Sequence, residues 1–253
     1  MRRFFTLLRH ETRVLFIAPS TYVAAFLFLL IMGFVFQGVV ETYSRSPQNS
    51  PPVVIFFQLF WLPVFFIVPL LTMKSFAEEK RHGTLETLLT TPVSPSQVVL
   101  AKFFAAYLLY AVFWLLTLGF SAILHSQARD PRLWEIGPTA GGYLFILLSG
   151  LLFVAIGIFA SSLTRNQLVS GILSFTLLFG VIIGSRYLAD LTASGLQFLP
   201  VSDEWLAYPQ VFQHGEDFSR GVFDTRPIAF YLSTAALFLI LSVLTIESKI
   251  WRS

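Results

Sequence analysis

Long apolar runs alternate along this chain with short polar ones. Six of the runs approach the roughly 20 residues that a helix needs to cross a bilayer. They are Tyr22–Val40, Val53–Met73, Phe103–Leu124, Tyr143–Leu163, Leu168–Ser185 and Ile228–Ile246. Backbone amides in lipid must be satisfied within the segment, so each run is predicted to be helical. The shorter alternating segments of a membrane barrel are absent. Pro63 and Pro69 fall inside the second run and predict bends in it. Prolines are common in membrane helices, so packing kinks are a plainer reading of them than a gate.

The segments between the runs carry their own patterns. Residues Arg2 to Ile17 mix Phe4, Phe5, Leu7, Leu8, Leu15 and Phe16 with four arginines. This predicts an amphipathic helix lying in the membrane interface over residues 1–18, with Pro19 turning the chain into the first span. A cleaved signal peptide fits less well, because the run from Tyr22 is too long for one. Residues 186–227 are too apolar for a free loop and too interrupted to cross. Short helices at the outer surface, or a re-entrant hairpin, are expected there. The rest reads as one membrane domain over residues 1–253, with a charged segment at 74–102.

Composition agrees. Of 253 residues, 55% are hydrophobic and 12% charged, about half the charge of a soluble domain, and mean hydropathy is +0.73. The net charge of +3 is not gathered into a nucleic-acid-binding stripe. Without cysteine there is no disulfide framework. Basic residues set the orientation. Arg2, Arg3, Arg9, Arg13, Lys74, Lys80, Arg81, Lys102, Arg165, Lys249 and Arg252 fall on one side, and Arg45, Arg129, Arg132, Arg186, Arg220 and Arg226 on the other. The first side is the cytoplasmic one, so both termini and the 74–102 segment are expected in the cytoplasm.

Within that segment the second span is expected to continue as a polar helix through Glu78, Glu79 and Arg81 until Gly83 breaks it. A short helix can start at Gly83 or Thr84, with Glu86 near its positive end and Leu85, Leu88 and Leu89 on one face. Pro92 stops it. Ser94 is then an N-cap, Pro95 suits the first helical position, and Gln97 completes a capping box for the third span. The transverse helix could enter a pocket on a partner. An inner-surface loop whose leucines touch lipid headgroups fits the same residues.

The run EEKRHGTLETLLTTPVS over residues 78–94 resembles the E-E-x-R-x-G-T-[LI]-E-x-L-L-x-[ST]-P-[VI]-[ST] pattern of ABC-2-type permeases, the membrane subunits of ABC transporters (type V exporter-like). Within them it is similar to the gliding-motility (GldF-like) and nitrous-oxide-reductase-maturation (NosY-like) branch. GIFASSLTRNQ at 157–167 and FSRGVFDTRP at 218–227, followed by Tyr231 and Ser233, resemble the GldF-like side. Pro227 departs from that pattern and bears only on how the last span begins. The resemblance implies an all-α permease of six transmembrane helices in a bacterial inner membrane. It implies a coupling helix formed by Gly83, Thr84, Leu85, Glu86, Leu88, Leu89 and Pro92 that docks in a cytoplasmic ATPase subunit. Glu78, Glu79 and Arg81 would be polar partners near the dock, and Arg165 would lie in a second, smaller contact; on physics alone Arg165 reads as an inner-side anchor. ATP and magnesium would belong to the ATPase. A second permease, identical or paralogous, and a protein with a periplasmic domain complete the implied partners.

Other chemistry is missing from the sequence. There is no phosphate-binding Gly-x-x-x-x-Gly-Lys-[Ser/Thr] loop, no His-Glu-x-x-His and no Gly-x-Ser-x-Gly, so no catalytic residues are expected. The six span cores carry no Asp, Glu, Lys or Arg, which argues against an ion-coupled transporter. The four histidines are scattered, and no metal site is expected. Gly180 with Gly184, Ser170 with Ser174, and Gly150 with Gly157 are spaced for close helix contact, expected mainly within the bundle. Gln37, Gln58, Thr117 and Ser121 are expected to satisfy hydrogen bonds toward the outer interface. The output is export of a substrate or mechanical work on a partner. The alternative is a scaffold that anchors a gliding, secretion or assembly complex and transports nothing.

Overall fold

All six runs are helical, and three of them are interrupted. The computed structural model describes residues 2–45, 51–84, 93–127, 136–187, 209–222 and 224–250. In chain order the helices are α1 Arg2–Ile17, α2 Pro19–Arg45, α3 Pro52–Gln58, α4 Trp61–Thr72, α5 Ala77–His82, α6 Pro95–Leu116, α7 Leu118–Gln127, α8 Ile136–Leu163, α9 Gln167–Phe179, α10 Val211–Ser219 and α11 Thr225–Ile250. Among the described residues there is no strand, and six stretches are long and apolar enough to cross a membrane. The protein is an all-α polytopic membrane protein.

The interruptions have local causes. Pro63 cannot donate to the carbonyl of Leu59, and the chain breaks between α3 and α4 at Leu59–Phe60. Restarting at Trp61 places Pro63 in a first turn, where no amide donor is needed. Pro69 stays inside α4. The third span breaks at Thr117, whose hydroxyl donates to the Trp114 carbonyl at 2.6 Å and pairs with the Tyr143 hydroxyl at 2.9 Å. This is the hydrogen-bonding role expected of it. The fifth span widens into a π-helical turn at Gly180–Gly184.

α8 is the most buried span, surrounded by α4, α6, α9, α10 and α11. Its glycines allow close approach. A Cβ on Gly142 would lie 2.6 Å from Phe57 Cγ, and one on Gly150 would lie 2.9 Å from Tyr110 Cδ1. Phenylalanines fill the rest: the Phe60 ring meets Phe145 edge-on at 5.1 Å and stacks on Phe153 at 6.2 Å. Gly180 and Gly184 do not follow the expectation of packing within the bundle. Among the described residues a Cβ on either meets nothing within 4 Å, because Leu178 and Ile182 take the inward face of that helix. Ser170 and Ser174 are fully buried.

Connectivity places the α1 helix, α5, the start of α6, the α8–α9 turn and the end of α11 at one end of the bundle. α10 lies at the other end, against α8 and α3, with Val211, His214, Gly215 and Phe218 buried. Of the expected outer helices, α10 is therefore docked in the bundle; residues 188–208 of that segment lie outside the described residues.

Candidate functional site

The α1 end is organised by a serine on α8 and a lysine on α6. Continuous helix was expected from the second span through Arg81, but the chain makes a turn over Met73–Phe76 between α4 and α5. Ser161 is the reason. Its hydroxyl accepts from the amides of Phe76 at 3.0 Å and Ala77 at 3.1 Å and donates to the Met73 carbonyl at 3.3 Å. Those two amides would otherwise bond to carbonyls four residues back. A side chain 85 residues away thus takes over the helix donors and sets the direction of α5. The Lys80 ammonium also donates to the Ser162 carbonyl. α5 ends where expected, with Gly83 in the left-handed region at φ 71°.

Lys102 holds α5 from the other side. Its side chain is 5% exposed, and its ammonium donates to Glu79 Oε1 at 2.7 Å and Glu11 Oε1 at 2.9 Å. The Phe76 ring lies against the same ammonium, 5.5 Å from ring centre to nitrogen. One cation therefore joins α1, α5 and α6. The second Glu79 oxygen is buried and has no hydrogen-bond partner among the described residues. Such a cluster is held by its geometry. Charges taken out of water lose hydration that a single lysine cannot return in full to two carboxylates, so removing the cation is far more damaging than neutralising all three groups.

Of the residues singled out from sequence, Glu79 is part of this clasp. Glu78 is half-buried beside it, Arg81 and Thr84 are exposed, and the Thr84 hydroxyl is 3.4 Å from the Glu79 carbonyl. Leu85, Glu86, Leu88, Leu89 and Pro92 lie outside the described residues. The third span begins as expected, with the Ser94 hydroxyl accepting from the Gln97 amide at 3.4 Å and Pro95 first in the helix. Arg165 is exposed in the turn before α9, where Asn166 caps the helix through the Leu168 amide at 2.9 Å. Because α5 packs on the ends of both α8 and α9, that turn stands beside α5.

Sequence reasoning missed Lys102, Glu11 and Ser161 as partners. Lys102 was counted only as an inner-side charge. The available signal was its register, since Val98, Lys102, Ala105, Ala106 and Leu109 form one stripe and all are buried. Nothing local marks Ser161. Among the described residues no group of three or more His, Asp or Glu side chains could hold a metal ion. The arrangement fixes the position of α5 against three other helices, α1, α6 and α8.

At the opposite end, His214 on α10 is 8% exposed and its Nδ1 lies 3.1 Å from the Tyr231 hydroxyl on α11. Burial lowers its pKa from 6.5 to about 4, with Asp224 opposing more weakly. The unfolded histidine binds its proton at higher pH than the folded one. The docking of α10 is therefore fully supported above about pH 6.5 and weakens as pH falls toward about 4. Protection factors of residues 211–219, corrected for the pH dependence of intrinsic amide exchange, are expected to fall between pH 7 and pH 4.5, and His214→Gln is expected to flatten that dependence. An equal fall in the variant would contradict the assignment.

A family model described as ABC-2 family transporter protein matches residues 40–202. The match includes α5, Lys102 and Ser161, and leaves out α1 and α11. No curated protein matches the chain.

Proposed function

The chain belongs to the ABC-2 family of transporter proteins, and from that premise we propose that it is a permease driven by a separate nucleotide-hydrolysing subunit that docks beneath α5. The observation that carries this reading is the Lys102 clasp together with Ser161. They make α5, the first part of the motif segment, rigid with α1, α6 and α8. Force applied to residues 83–92 then reaches two further spans and the interfacial helix at once. Closure of an ATPase dimer biases the bundle between two packings in this way, and the coupling needs no nucleotide site in the chain itself.

On this reading the α1 end faces the cytoplasm, both termini lie there, and the membrane is a bacterial inner membrane. The excess of basic residues at that end supports the orientation. A second permease, its own copy or a paralogue, completes the transporter. The 157–167 and 218–227 matches support the gliding-motility branch, where a partner with a periplasmic domain is expected.

Leu88→Asp tests the dock. A carboxylate forced into an apolar groove loses its hydration without gaining a partner. The variant is expected to insert into membranes normally and to lose copurification with its ATPase. Normal copurification would refute the assignment of the segment as the coupling helix.

A further inference from the structure

Beside the clasp, a cavity of about 400 Å³ opens between α1, the start of α2, and α4–α5. This volume lies within the range of about 300–1,000 Å³ that holds small ligands. Its lining is divided by chemistry. Val14 and Leu70 form part of an apolar wall and are 51% and 38% exposed at the bundle surface. Lys74, Glu78, Glu79 and Lys102 line the polar side.

Two of those four charges are already committed to each other. The other two are not. Among the described residues Lys74 hydrogen-bonds only the Ser20 hydroxyl, at 3.5 Å, and Glu78 forms no ion pair. A cation and an anion one helical turn apart in sequence therefore stand at one cavity without pairing with each other. The apolar wall beside them is continuous with the outer surface of the bundle. With α1 lying in the interface, the mouth is at headgroup depth.

We propose that this cavity binds a phospholipid whose headgroup carries both a phosphate and a primary ammonium. The phosphate takes Lys74, the ammonium donates to Glu78, and the acyl chains run out along Val14 and Leu70. Three carboxylates (Glu11, Glu78 and Glu79) face two lysines around the cavity. A lipid of net negative charge is therefore disfavoured relative to a zwitterion. A trimethylammonium headgroup has no N–H to donate to Glu78. The inference does not rest on the coupling reading, because it concerns the permease without its ATPase.

Native mass spectrometry of the detergent-purified chain tests it, with phosphatidylethanolamine, phosphatidylcholine and phosphatidylglycerol of identical acyl chains offered in equal amounts. Retention of phosphatidylethanolamine is expected to exceed that of either other lipid by about tenfold, the scale of one charge-assisted hydrogen bond. Lys74→Ala and Glu78→Gln are each expected to remove most of that preference. Neither residue belongs to the clasp, and unchanged melting of both variants shows that the loss is not unfolding. Equal retention of the three lipids, stronger retention of phosphatidylglycerol, or an undiminished preference in the Lys74→Ala/Glu78→Gln double variant overturns the proposal. If either variant melts early, headgroup selectivity of the unmodified chain decides alone.

Discussion

Lys102→Met is expected to destabilise the protein by about 3–5 kcal/mol, the scale measured when one member of a buried ion cluster is removed. The variant leaves Glu11 and Glu79 facing each other across an apolar side chain, at 15% and 24% exposure, with no cation to hold them. α1 and α5 then separate from α6. Melting in detergent should fall sharply, and on the proposed coupling the protein that remains folded should still bind an ATPase subunit through residues 83–92 while failing to convert ATP turnover into work. That combination separates the clasp from the dock, since Leu88→Asp is expected to lose binding and keep the fold. The neutral triple variant Glu11→Gln/Glu79→Gln/Lys102→Met is expected to recover most of the melting loss. A Lys102→Met protein that melts with the unmodified chain would show that the cluster holds nothing together.

The second large effect concerns glycine at a helix crossing. A Cβ on Gly157 would lie 2.9 Å from both Cβ and Cγ2 of Thr72, and closer still to its hydroxyl oxygen, which donates to the Val68 carbonyl at 2.8 Å. Thr72 is fully buried and cannot swing away. Gly157→Leu must therefore push α4 from α8 one turn from Ser161, costing about 1–3 kcal/mol or more. Loss of a monodisperse peak in size-exclusion chromatography and early melting are the expected readouts. Gly180→Leu is the control, because among the described residues nothing lies within 4 Å of that Cβ position. Its isolated subunit should melt normally. If it still fails to assemble, a partner covers that face; if Gly157→Leu is as well tolerated as Gly180→Leu, the α4–α8 crossing is wrongly assigned.

Much of the fold was legible because it depends on sums over many residues. Twenty apolar side chains in a row leave the backbone no choice but helix, and a few misread positions shift a boundary without changing the outcome. The local punctuation at Gly83, Ser94 and Pro95 was legible for a related reason, since a cap needs only neighbours in sequence. The candidate site was legible in part: Glu79 was singled out, while its function as one arm of a clasp depends on a lysine 23 residues away and a glutamate on the first helix. The glycine pairs show the same limit. Small-residue spacing alone did not separate Gly150 and Gly157, which are in tight contact, from Gly180 and Gly184, which face outward, because spacing does not specify which side of a helix meets a neighbour.

The amino-acid sequence alone determined that this is a six-span helical membrane protein, which side carries the positive charge, and where the motif segment lies. Those properties follow from hydropathy, charge and short-range stereochemistry, all of which act within a few residues. Tertiary structure alone decided that α4 and α5 are separate helices, that Lys102 is buried between two carboxylates, and that α10 is docked against α8. Each of these is settled by a competition between a local hydrogen bond or hydration shell and a group brought near by folding. Ser161 wins the Phe76 and Ala77 amides only because α8 stands beside them.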